Sequence, residues 1–126
     1  MRTLAATLFV LSCLPRIAFA DPATECGESS QIEIGECVAD TLQRVDATVD
    51  IYLSFAMGSA KELDDVTGRT IAVPALEAAQ AAWSAYRNAQ CDYVGATFGG
   101  GSGTGIAINS CKIELGRRRA VELVRQ

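Results

Sequence analysis

Four cysteines limit what this chain can fold into more than any other feature: Cys26, Cys37, Cys91 and Cys111. They follow an N-terminal stretch with the marks of an export leader. Met1-Arg2 is a short basic start, residues 4–14 form an apolar run, and Ala18-Phe19-Ala20 before Asp21-Pro22 is a small-x-small cleavage site. The run falls short of the ~20 apolar residues that span a bilayer. Cleavage after Ala20 is the expectation, so residues 1–20 are read as a signal peptide and 21–126 as one domain. The rival is lipidation of Cys13 in the imperfect motif Val10-Leu11-Ser12-Cys13, and a membrane partner is expected only in that case. On either reading the product leaves the cytoplasm, as a periplasmic or secreted protein. Four cysteines in a small exported domain read as two disulfides. They lack the paired spacing of a redox or zinc site.

Composition then excludes several kinds of function. The chain has no histidine, which removes imidazole as a base near neutrality and as a metal ligand. Loss of Arg2 and Arg16 with the leader leaves nine basic against 15 acidic side chains, a net charge of −6. Phosphate backbones need clustered positive charge, so nucleic acid is not an expected partner. No cofactor motif is present, and no nucleophile, metal cluster or carboxylate pair stands out as an enzyme's would. Hydrophobic residues make up 49% of the chain, enough for a folded core.

The spacing predicts helices and no strands. Ser30-Gln31-Ile32-Glu33 fits a capping box, in which serine and glutamate each satisfy a free backbone N–H. The inner stripe of the first long helix is expected at Cys37, Thr41, Val45, Thr48 or Val49, and Tyr52, with a break at Gly58. Ser59 to Glu62 forms a second capping box, which predicts a separate short helix to about Thr67. Pro74 suits a first turn, where its missing N–H costs nothing. The helix it opens should run to about Tyr93 with Leu76, Ala79, Gln80, Trp83, Tyr86 and Arg87 on one broad face. A glycine-rich loop leads to a last helix bearing Ile108, Cys111, Leu115 and Leu123. The fold class expected is all-α: a small disulfide-stapled domain of two long antiparallel helices plus a third.

If that hairpin turns between Gly58 and Pro74, Cys37 lies 21 residues below the turn and Cys91 lies 17. At ~1.5 Å per residue their heights differ by ~6 Å. This favours Cys37–Cys91 with Cys26–Cys111. The competing pairing is Cys26–Cys37 with Cys91–Cys111.

The pattern Leu76-x3-Gln80-x2-Trp83-x2-Tyr86-Arg87-x3-Cys91 resembles the LprI-type lysozyme-inhibitor domain, a family of small bacterial envelope proteins. Cys26 and Cys37 at the start of the first helix fit it. So do Gly100-Gly101-Ser102 after the third cysteine, and Cys111-x3-Leu115-x3-Arg119-x3-Leu123 at the end. Asp46-x2-Val49-Asp50 stands where the family has Asp-x2-Leu-Asn. Leu53 takes the place of an expected tyrosine, and Gly116 that of a threonine. The resemblance implies an all-helical, non-enzymatic binding protein that occludes a lysozyme-type enzyme. The alternative is an envelope structural or interaction module with another partner.

Several residues are candidates for these roles. Trp83 and Tyr86 are expected in the core. Arg87 and Arg119 on inner stripes need carboxylates, with Asp40, Asp46 and Asp50 available. Residues 21–78 carry 12 acidic and three basic side chains, a surface suited to a basic lysozyme. Glu33 and Glu36 are its candidate contacts, together with Gly99, Gly100, Gly101 and Ser102 of a protruding loop. That loop has neither the following lysine nor the preceding strand of a phosphate cradle. Asp64 and Asp65 are expected to be solvated.

Overall fold

The structure, a computed structural model, describes residues 21–27 and 30–125; the leader, its cleavage site and Cys13 lie outside them. Among the described residues the chain forms four helices and no strand. These are α1 (Pro22–Glu25), α2 (Gln31–Thr67), α3 (Ala72–Ala96) and α4 (Thr104–Val124).

Helix α2 starts as its sequence dictates. The Ser30 hydroxyl accepts from Glu33 N–H, and Glu33 accepts from the Ser30 N–H at 2.9 Å. Gly58 does not end it. One glycine in a helix costs only about 1 kcal/mol, and the apolar stripe continues through Ala56, Met57 and Ala60 onto the core. The stop comes at Gly68, whose φ of 64° is left-handed and closes the C-terminus. The separate helix expected from Ser59 is therefore the last part of α2. At 37 residues α2 extends ~55 Å.

This displaced turn overturns the favoured disulfide pairing. With α2 ending at Thr67 and α3 starting at Ala72, Cys37 lies 30 residues below the turn and Cys91 only 19. The heights then differ by ~16 Å, well outside the ~4.4–6.8 Å between Cα atoms that a disulfide tolerates. The bonds are Cys26–Cys37 and Cys91–Cys111, with Cα separations of 5.8 and 5.5 Å. The first fastens α1 to α2, the second α3 to α4.

Helices α2 and α3 form the antiparallel hairpin, and α4 packs on both, most extensively on α2. Near the N-terminal end of α2 the core is built from Pro22, Val38, Cys91 and Ile113, all essentially inaccessible. Further along, Val49, Leu76, Ala120 and Leu123 form its continuation. Helix α1, absent from the sequence reading, is held down by its buried proline and by Arg117, which grips Glu25 with two bonds of 2.8 and 2.6 Å. That fork keeps the Glu25 carboxyl below the ordinary range.

Two glycines permit close helix approach. A Cβ on Gly95 would sit 2.6 Å from the Ile108 side chain, where α3 meets α4 beside the second disulfide. A Cβ on Gly116 would sit 2.6 Å from Val45 and 3.4 Å from the Arg87 guanidinium. At Gly116, α4 and α2 approach in a way that a side chain would oppose.

Candidate functional site

The signature on α3 divides between two faces. Leu76 is buried and Trp83 half-buried against the core. Arg87, one turn after Trp83, stacks over its ring at 5.2 Å, and Arg119 of α4 lies 5.9 Å from the same ring. Arg87 donates to Asp46 of α2 at 2.6 Å and to the Lys112 carbonyl of α4 at 3.1 and 2.8 Å. One side chain thereby ties three helices together. Asp46 is the partner among the three aspartates expected for this role.

Arg119 is different. It is 7% exposed and donates to the Gln80 amide oxygen at 3.1 Å, with Glu122 of its own helix as its carboxylate at 3.2 Å. Gln80, Trp83, Arg87 and Arg119 thus form one connected seam between α3 and α4. Tyr86 is not in the core as expected. It is 55% exposed, pointing away from the seam, and it lines a cleft together with half-buried Leu115.

The charged surface lies on α2. Glu36, Asp40, Asp50 and Glu62 are exposed and have no salt-bridge partner among the described residues. Glu33, a candidate contact, also closes the helix cap, so its charge has a structural use. Asp65 is engaged by Lys61 at 2.9 Å. Asp64 accepts from the N–H groups of Ile71, Ala72 and Val73 at 2.8–3.1 Å, across the turn at the start of α3. Those bonds, led by the one from Ala72, lower its carboxyl from the ordinary value. Asp64 is thus a cap rather than the solvated charge expected.

The glycine-rich connection is short and internally bonded. Successive turns link Phe98 to Gly95, Gly99 to Ala96, Gly101 to Phe98 and Thr104 to Gly101. Gly99 and Gly100 adopt φ of 63° and 80°, which other residues avoid. Gly99 through Ser102 are exposed, and beside them Phe98 is 53% exposed. Sequence reasoning passed over this aromatic, although a large ring in a run of glycines is a visible signal.

It also passed over the tip of the hairpin. Phe55, Leu63, Val66 and Ile71 stand exposed there by 52–79%, and Phe55 and Leu63 line a groove of about 620 Å³ together with Leu76 and Leu123. Patches of this kind mark interaction surfaces. Among the described residues, no group of three or more His, Cys, Asp or Glu side chains is placed to hold a metal. Nor is any helix among them long and apolar enough to cross a membrane.

Comparison with known proteins bears on this geometry. The family model described as lysozyme inhibitor LprI matches residues 23–123, from α1 to the end of the α4 core. The chain is also 32% identical over 130 residues to the uncharacterised protein R02472 of Rhizobium meliloti (strain 1021), covering 98% of this chain and 94% of the relative. No solved structure matches the chain.

Proposed function

The chain belongs to the LprI lysozyme-inhibitor family, and from that membership we propose that it is an exported binding protein that occludes a lysozyme-type enzyme. The observation that carries the reading is the α2 surface, where Glu36, Asp40, Asp50 and Glu62 are exposed with no salt-bridge partner among the described residues. A basic enzyme supplies the complementary charge, which steers encounter and sets orientation.

Charge alone makes a weak interface, because tight ones centre on desolvated apolar or aromatic anchors. Helix α2 carries such anchors further along, at Phe55, Leu63 and Val66. Glu36 and Asp40 act in recognition, and the apolar tip supplies area. The loop at Gly99, Gly100, Gly101 and Ser102 has little side chain to offer and contributes backbone contact and fit. Export through cleavage after Ala20 puts the protein in the periplasm or outside the cell, where such an enzyme acts.

Binding to an immobilised basic lysozyme, measured in ~0.1 M and ~1 M salt, tests the proposal. The Debye length falls from ~10 to ~3 Å between them, so the association rate should drop steeply. Glu36→Lys with Asp40→Lys should lower it at low salt and leave folding intact, since exposed charges contribute little to stability. Absence of binding at both salt concentrations favours the envelope-module alternative.

A further inference from the structure

A second cleft, of about 550 Å³, lies on the side of α4 facing Tyr86, away from the hairpin tip. One wall is a row on α3 at one-turn intervals, Tyr86, Gln90 and Val94, continued by Phe98 just beyond the helix. From Tyr86 to Val94 the row spans ~12 Å along the axis and Phe98 extends it, so the cleft is elongated. Gln31 at the start of α2 also lines it, together with Ser110 and Leu115 of α4.

The chemistry of this lining is specific. Tyr86 and Phe98 are more than half exposed, leaving ring surface open. The amides of Gln31 and Gln90 make no side-chain hydrogen bond among the described residues. Ser110 is 6% exposed and its hydroxyl has no partner among the described residues, although buried hydroxyls are normally satisfied. The charges in the lining are Asp21, Glu114 and Arg118, and the last two face each other at 3.9 Å. Such a cleft has little net charge with which to hold an anion or a polycation. It offers aromatic faces, neutral amides and a small apolar surface.

We propose that this cleft binds a neutral oligosaccharide of N-acetylated hexosamines. The apolar C–H face of a sugar ring lies on an aromatic ring. The acetamide supplies both a donor and an acceptor to a glutamine amide, and its methyl group fits the apolar lining at Val94 and Leu115. Pockets that combine apolar walls with a few convergent polar groups are the usual form of small-ligand sites. The cleft does not involve the acidic α2 surface, and it can be assayed with no lysozyme present, so its failure would leave the inhibitor reading untouched.

The test is a backbone-amide NMR titration of the purified protein with triacetylchitotriose, alongside cellotriose, which lacks the acetamides, and tetra-alanine as a neutral peptide. Saturable shifts are expected at residues 86–98 and 107–118, with cellotriose at least about fivefold weaker. Tyr86→Ala and Gln90→Ala should each weaken the chitotriose about two- to tenfold while leaving the circular dichroism spectrum unchanged. The chitotriose shifts are read on the unmodified protein, so they hold even if one variant misfolds. Absence of saturation, shifts mapping elsewhere, an equal response to cellotriose, or tighter binding of tetra-alanine would each overturn the proposal.

Discussion

Arg87 Nη2 lies 2.6 Å from Asp46 Oδ1, and the same nitrogen donates to the Lys112 carbonyl at 2.8 Å. The Arg87 side chain is 13% exposed and that of Asp46 46%, so the two ends of the pair are unequal in what they hold. Arg87→Ala removes the ion pair, the stack on Trp83 and the donors to the carbonyl, and should cost about 1–3 kcal/mol. Asp46→Ala leaves the carbonyl bonds and the stack in place, and a partly solvated pair contributes only about 0–1 kcal/mol. Urea unfolding of both variants is expected to rank Arg87→Ala well above Asp46→Ala in destabilisation.

The two disulfides close short loops, 11 and 20 residues apart in sequence. Loops of this length stabilise by about 3 kcal/mol each in the chain-entropy view. Paired replacement of Cys91 and Cys111 by serine should cost more than the same change at Cys26 and Cys37, because Cys91 is fully buried. Thermal unfolding checks the order. Non-reduced peptide mapping should find Cys26 joined to Cys37 and Cys91 to Cys111, and a Cys37–Cys91 peptide would contradict the helix register.

Acid should loosen the domain at two named places. Asp64 is held low by the backbone N–H groups at the start of α3, Glu25 by the Arg117 fork. A carboxyl with a lowered folded value stabilises fully above its unfolded value, about 4 for these groups. That stabilisation is lost as pH falls through the folded value. Hydrogen exchange at the amides of Ile71, Ala72 and Val73 should therefore rise relative to the core as pH drops below about 4. Asp64→Asn should show the raised exchange already at neutral pH.

Gly116 offers a packing test. Any Cβ there meets Val45 at 2.6 Å, and overpacking of this kind costs about 1–3 kcal/mol. Gly116→Thr should lower the urea midpoint. The more distant Gly105, with open space around its α-carbon, should accept Ala with no loss, since alanine gains about 1 kcal/mol of helix propensity.

Local chemistry was readable in the sequence wherever a single contact range decided the outcome. The Ser30–Glu33 box acts within one turn, and the pattern from Leu76 to Cys91 needs only helical spacing to place Trp83 and Arg87 together. The stop at Gly58 was misplaced because its cost, about 1 kcal/mol, is small against the packing of Ala56, Met57 and Ala60, and that packing is tertiary. The misplaced turn then carried the disulfide register with it. Tyr86 was assigned to the core by spacing alone, whereas the bundle's geometry leaves the inner face of α3 narrower than the apolar pattern. Helix α1, four residues long, is held by Arg117 and Cys37, partners distant in sequence. The acidic excess of α2 was legible as charge, but the apolar tip at Phe55 and Leu63 emerges only once α2 is seen to continue past Gly58.

The most direct measurement is the rate at which a basic lysozyme clears a peptidoglycan suspension while the purified protein is titrated in. Inhibition should rise with concentration and saturate near one protein per enzyme. It should weaken in high salt, and with Glu36 and Asp40 changed to lysine. An unchanged clearance rate across a molar excess of the folded protein would contradict enzyme occlusion as the function of this chain.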